Sequence, residues 1–157
     1  MNKNTVFESI KNTAGTILED SAYLFTASLE DGFPDVATWQ AQGIALSYTD
    51  DDRHISGEIH MWYPPEISTI AAANMLGVDE TDEKALSKGD DALREILNIL
   101  AGNLLTELYG EDVLFNLTVP YEIDQNQLVD DEASDYAVWL ETEDYPVLIV
   151  LHAVENR

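Results

Sequence analysis

The chain has 157 residues, 45% of them apolar, with 31 acidic against 7 basic residues and a formal net charge of −24. That is enough apolar chain for one cored domain, so a disordered acidic tail is excluded, and a surface this acidic makes nucleic acid and anionic membrane poor partners. With no cysteine, disulfides and thiolate metal sites are ruled out, and a reducing, cytoplasmic setting is expected.

Residues 4–25 carry a 3.6-residue apolar period through Val6, Phe7, Ile10, Ile17 and Leu18 and read as a helix ending before Gly32-Phe33-Pro34. Polar residues interrupt that stripe, so a secretory signal is not expected, and the longest apolar run, Val147 to Leu151, is too short to span a bilayer. Residues 36–48 and 55–63 are rich in β-branched and aromatic side chains and flank Asp50-Asp51-Asp52, which predicts a hairpin. Pro64-Pro65 opens a second helix, in which Pro costs no hydrogen bond, and Gly77 is placed to end it. An acidic connector over 78–89 leads into the strongest helix, 90–109. Its apolar face is Leu93, Ile96, Leu97, Leu100, Ala101, Leu104, Leu105 and Leu108. Alternation at Val113, Phe115, Leu117 and Val119 predicts a strand ending at Pro120. An acidic loop over 122–135 follows, then a hairpin of 137–142 and 147–154. No linker divides the chain, so residues 1–157 read as one α+β domain.

The two long helices resemble each other. At an offset of 87 positions Glu8 falls on Glu95, Lys11 on Asn98, Ala14 on Ala101 and Gly15 on Gly102, and their apolar stripes agree. An internal duplication predicts an antiparallel sheet covered by two pseudo-symmetric helices, although two amphipathic helices also agree at some offset by chance.

On the second long helix Asp91, Glu95, Asn98 and Gly102 are spaced four, three and four apart. They occupy an arc of roughly 60° opposite the leucines. An interior glycine costs about 1 kcal/mol relative to alanine, and a close approach of another backbone would account for Gly102. The same spacing also fits a solvated polar ridge, and Asp91 fits a helix cap as well as a functional role. His54, His60 and His152 lie on separate elements without ligand pairing in sequence, so satisfied or surface histidines are expected, with no metal site. No Gly-rich phosphate loop or Gly-x-Ser-x-Gly elbow is present. Trp39, Trp62 and Trp139 read as core or interface residues.

The stretch Asp91-Ala-Leu-Arg-Glu95-Ile-Leu-Asn98-Ile-Leu-Ala-Gly102-Asn103, followed by Pro120, resembles the signature of the CheC/CheX family of chemotaxis phosphatases, and the flanking elements fall where that family has them. The resemblance implies hydrolysis of the aspartyl phosphate of a CheY-like response regulator. Glu95 would pair with a basic residue of the regulator and Asn98 would enter its phosphorylation site, with Asp91 and Gly102 on the partner-binding stretch. The protein would need no cofactor of its own, since Mg²⁺ is expected on the partner. Lys11 in place of a second Asn implies one site per chain, the CheX-like pattern, leaving Glu8 and Lys11 a surface pair. A homodimer joined through strands is implied too, with 147–154 as an apolar strand in need of cover. The rival from another class is a non-catalytic adaptor that docks a regulator or flagellar-switch component through the same helix. An unrelated ligand-binding α+β domain would follow if the motif match were accidental.

Overall fold

The computed structural model describes residues 1–155. Asn2 Oδ1 accepts hydrogen bonds from the backbone N–H groups of Asn4 and Thr5, at 2.9 and 3.2 Å. This cap starts α1 (Lys3–Ala22), which ends as Tyr23 turns left-handed at φ 53°. Pro65 opens α2 (Pro65–Leu76) and Gly77, at φ 69°, closes it, as expected from the sequence. Helix α3 (Glu83–Tyr109) starts seven residues before the expected position (90 against 83), because Asp82 caps it by accepting from the Lys84 N–H at 2.9 Å. The extra turns carry their inward face in the small residues Ala85 and Gly89, followed by Ala92, all buried, so no large apolar period marks them. These residues let α2 lie close. A Cβ on Gly89 would stand 2.8 Å from Ser68 Oγ and 3.1 Å from the Ser68 carbonyl carbon.

The strands are β1 (Thr26–Ser28), β2 (Gln42–Asp50), β3 (Ile55–Tyr63), β4 (Asn116–Leu117), β5 (Tyr121–Ile123), β6 (Ala137–Thr142) and β7 (Tyr145–Glu155), with a short helix α4 (Leu128–Glu132) before β6. They form one sheet in the order β1-β6-β7-β3-β2-β4, with β5 also on β2, and every pairing is antiparallel. Exchanging β1, β2 and β3 for β4, β6 and β7 reproduces that order reversed. The sheet therefore carries a pseudo-twofold axis between β3 and β7, which agrees with the duplication read from the two helices.

Helices α1, α2 and α3 pack on one face. Leu93, Ile96, Leu97, Leu100, Leu104 and Leu105 of α3 join Val6, Ile10 and Leu18 of α1 and Leu46, Ile59, Met61 and Tyr63 of the sheet in a single core. Each large side chain so buried contributes about 1.5–3 kcal/mol. On the other face Trp62, Leu148 and Val150 are covered by Leu128 and Ala41, with Trp39 and Trp139 at the margin. Trp62 lies flat over Gly43, where a Cβ would meet its ring at 2.5 Å.

Several expectations change. Strand β2 begins at Gln42, not at 36. Asp35 turns the preceding segment by accepting from the Ala37 N–H through Oδ1 and from Thr38 and Trp39 through its carbonyl. The strand expected over 113–119 shrinks to two residues, leaving Leu114 and Val119 85% and 83% exposed. Thr118 ends that ladder by placing its own hydroxyl on the Ser47 N–H at 2.9 Å. The acidic segment 122–135 is not a plain loop, since it holds the end of β5, a 3₁₀ turn and α4. Strand β1 was not legible in the sequence. Strand β7, expected as an apolar strand in need of cover, lies between β6, which pairs it over Tyr145–Val150, and β3, which pairs it over Leu148–Glu155.

Because Gly89 abuts Ser68 where α2 meets α3, Gly89→Val should lower stability by about 1–3 kcal/mol through overpacking. Guanidinium unfolding would show this as a lower midpoint at unchanged slope. A neutral result would mean that α2 can move away from α3 freely.

Candidate functional site

The leucine face of α3 is held against the sheet, and this turns Asp91, Glu95 and Asn98 outward, all three exposed, with Gly102 half-buried beside them. The four thus share one ridge, as their spacing predicts. Asp91 lies more than two turns inside α3 and is not its cap, which is Asp82. Its carboxylate sits 3.9 Å from Lys88 in an exposed pair, an arrangement of small energetic weight. Among the described residues, and apart from its chain neighbours and the adjacent backbone of α3 itself, nothing lies within 4 Å of where a Cβ on Gly102 would be. No internal backbone approach explains this glycine, and the space over it is open.

The segment after β4 borders the ridge. Arg94 Nη1 donates to the Pro120 carbonyl at 2.7 Å and ties that segment to α3. Arg94, Glu95 and Asn98 then share a shallow concavity of about 310 Å³ with Leu117, Thr118, Val119 and Pro120. On the other side of Glu95, between α2 and α3, lies a largely apolar groove of about 210 Å³, lined by Ala72, Met75, Leu76, Lys88, Asp91 and Ala92. Leu76 and Val119, 48% and 83% exposed, therefore flank the carboxylate and the carboxamide. The ridge has polar groups at its centre and an apolar shoulder on each side, which suits contact with a folded surface better than capture of a small molecule. Sequence reasoning named the ridge and Pro120, but it missed Arg94 and Val119. The contact of Arg94 with Pro120 joins positions 26 apart, and no local pattern reports such a contact.

The pseudo-symmetric position on α1 differs. Glu8 and Lys11 form the expected surface pair at 3.9 Å. They border a concavity of about 440 Å³ with Asn12, Gly15, Thr16 and β1. Where α3 offers a neutral carboxamide, α1 offers an ammonium.

Of the histidines, His54 is exposed in the β2–β3 turn. His60 and His152, which sequence spacing did not pair, meet on the outer face of the sheet. Asp131 of α4 accepts from His60 Nδ1 at 2.6 Å, from His152 Nε2 at 2.8 Å and from Trp62 Nε1 at 2.7 Å. Burial alone would raise the Asp131 carboxyl, but these three hydrogen bonds prevail and hold it well below the usual carboxylate range. Burial would lower His60, but its hydrogen bond to Asp131, that carboxylate's charge and then Glu58 raise it instead. The acidic loop read from sequence concealed Asp131 among other carboxylates.

Comparison with known proteins agrees with this architecture. The sequence profile of the family described as chemotaxis phosphatase CheX matches residues 51–143, more than half of the chain. No curated protein sequence matches. Among solved structures, the chain is similar to CheX of Borrelia burgdorferi, seen in a CheX–CheY–BeF3–Mg complex, at 20% identity and a TM-score of 0.65, covering 94% of this chain and 97% of that one. It is also similar to a CheC-like superfamily protein of Shewanella sp. PV-4, at 13% identity and a TM-score of 0.68 over 98% and 99% of the two chains. A third is chemotaxis protein CheX of Vibrio vulnificus, at 11% identity and a TM-score of 0.66 over 98% and 99%. At such identities the solved structures speak for the fold, and the sequence profile speaks for the lineage. The helix-on-sheet arrangement, the ridge on α3 and the profile match converge: the chain belongs to the CheX family of chemotaxis phosphatases.

Proposed function

We propose that the chain hydrolyses the aspartyl phosphate of a CheY-like response regulator, with Glu95 holding the regulator and Asn98 placing the attacking water. The observation that carries this reading is the exposure of Glu95 and Asn98 side by side on α3, facing the concavity that Pro120 closes, in a chain of the CheX family. The Borrelia relative is seen in complex with CheY, which supports a response regulator as the partner.

The residue types suit the chemistry. Hydrolysis of an acyl phosphate needs a water in line with the phosphorus, while the regulator's own Mg²⁺ and lysine carry the phosphoryl charge. A carboxamide offers both an acceptor and a donor to that water. It brings no negative charge toward the phosphoryl oxygens, as an aspartate would. Glu95, one helical turn away, is free to pair with a cation on the regulator, and the apolar shoulders at Leu76 and Val119 exclude water around that pair. The strongly acidic surface favours a partner with a basic face.

Asn98→Ala should lower turnover at saturating phosphorylated regulator by about tenfold to a thousandfold, the usual loss on removing a positioning contact in a transition state. Asn98→Asp should do no better. Glu95→Ala should act chiefly on the regulator concentration that gives half-maximal rate. Glu8→Ala should leave the rate within about twofold, as surface changes away from a site do. Acyl-phosphate decay followed at limiting and saturating regulator separates these outcomes. Near-normal turnover in Asn98→Ala would leave the protein an adaptor that binds a regulator without hydrolysing its phosphate.

Gly102→Ala tests the docking surface independently. With open space over this glycine, alanine should stabilise the isolated chain by about 0.5–1 kcal/mol through helix propensity. It should weaken association with the regulator if the partner's backbone passes there. Thermal unfolding and a binding titration on the same variant measure the two effects, and stabilisation with unchanged binding would place the partner elsewhere.

A further inference from the structure

We propose that His60, His152 and Asp131 form a binding site for a divalent transition-metal ion of the zinc type, on the face of the sheet away from α3. The site arises from strand register. Glu58 lies opposite His152, and His60 opposite Val150, in the β3–β7 pairing. The two histidines are therefore diagonal neighbours on one face, with ring centroids 4.6 Å apart. Asp131 descends from α4 between them, one carboxylate oxygen to each imidazole, at 2.6 and 2.8 Å. One ligand atom from each of the three lies within 4.8 Å of the other two.

The surroundings are those of a built site. The side chains of Asp131 and His60 are only 5% and 7% exposed. Trp62 Nε1 donates to Asp131 at 2.7 Å and steadies the carboxylate. The second ring nitrogen of His60 faces Glu58 Oε1 at 3.1 Å, and that oxygen also accepts from the Tyr121 hydroxyl at 2.9 Å. A ligating histidine whose other nitrogen is held by a carboxylate is the usual outer shell of a zinc site. His152, with its side chain 34% exposed, borders a concavity of about 420 Å³ shared with Ser134, Tyr136 and Val154. The exposed edge of His152 on that concavity is the side from which solvent reaches the cluster.

Two imidazoles and one carboxylate suit zinc and its neighbours better than Mg²⁺ or Ca²⁺, which take oxygen ligands. The present spacings are those of hydrogen bonds. An ion about 2.0–2.1 Å from each ligand atom needs them about 3.3 Å apart, so the carboxylate would move outward from each imidazole by roughly 0.5–0.7 Å while the two ring nitrogens, within 4.8 Å of each other, close on the ion. Helix α4, which has only five residues, is short enough to yield by that amount. The ion would fasten α4 to β3 and β7, and it lies on the opposite side of the sheet from Asn98, so it is independent of the proposed hydrolysis.

The test is calorimetric titration of the chelator-treated full chain with ZnCl2, alongside His152→Gln, Glu58→Gln and His54→Gln. Glutamine at 152 keeps an N–H for Asp131 but is a poor zinc ligand. We expect one tight site per chain, affinity lowered at least about a hundredfold in His152→Gln, and lowered about tenfold to a hundredfold in Glu58→Gln. Affinity should be unchanged in His54→Gln. Weak, multiple binding that is the same in the unaltered chain and in His152→Gln would show only carboxylates on an acidic surface and would overturn the site. Should His152→Gln fail to fold, the visible spectrum of the unaltered chain with Co²⁺ decides. Intense four-coordinate bands support the site, and their absence overturns it.

Discussion

The pairing of β3 with β7 is the constraint on which the rest of the molecule depends. These strands lie on either side of the pseudo-twofold axis and are joined by eight residue pairs from Ile55–Glu155 to Trp62–Leu148. That register sends Ile59, Met61, Ile149 and Leu151 toward the helices and sends Trp62, Leu148 and Val150 to the opposite face. Side chains alternate along a strand, so a slip by one residue would exchange the two sets. It would bury Glu58 and His60 under α1 and α3 and expose Ile59 and Met61. The same register brings His60 beside His152, so both the helix platform and the polar cluster behind it follow from one alignment.

The ridge on α3 depends on how the neighbouring edge of the sheet is interrupted. Segments β4 and β5 both pair with β2, and between them Thr118 uses its hydroxyl where a backbone carbonyl would continue the ladder. The chain bulges there, Val119 is pushed into solvent and the Pro120 carbonyl meets Arg94. A straight strand over these residues would have buried Val119 against the sheet and left Asn98 on an open helix surface. On the other flank, the small residues Ala85, Gly89 and Ala92 bring α2 close enough to α3 to make a groove next to Glu95. Both shoulders of the ridge thus come from local departures from regular packing, and departures of this kind are common at functional surfaces.

The two halves of the sheet keep their symmetry in backbone order but not in chemistry. A concavity lies beside each long helix, bordered by β1 on one side and by the segment around Pro120 on the other. At the position equivalent to Asn98 the first helix carries Lys11, already paired with Glu8. An ammonium there is a fixed cation that accepts no hydrogen bond, so it cannot orient a water as a carboxamide does. Architecture is retained where the core requires it. The side chains on the solvent face of α1, which the core does not constrain, have diverged.

Elements that bury a periodic face were legible from the sequence alone. The leucine stripe of α3, the stripe of α1, the Pro65 start and Gly77 stop of α2 and the β-branched and aromatic run of β3 each carry their own signal. The ridge residues Asp91, Glu95, Asn98 and Gly102 were legible for the same reason, since helical spacing alone puts them on one face. What the sequence could not decide were features set by partners distant in the chain. The early start of α3 is packed with small residues that show no hydrophobic period. The shortening of β4 depends on Thr118 meeting Ser47, 71 positions away. The interior place of β7 depends on which strands flank it, and an apolar run reads alike at an edge and in the centre. Asp131 is one carboxylate in an acidic stretch, and only the fold buries it between two imidazoles. Local periodicity is written along the chain, whereas the pairing of distant strands is decided by which faces can be buried together, and that exists only in the folded state.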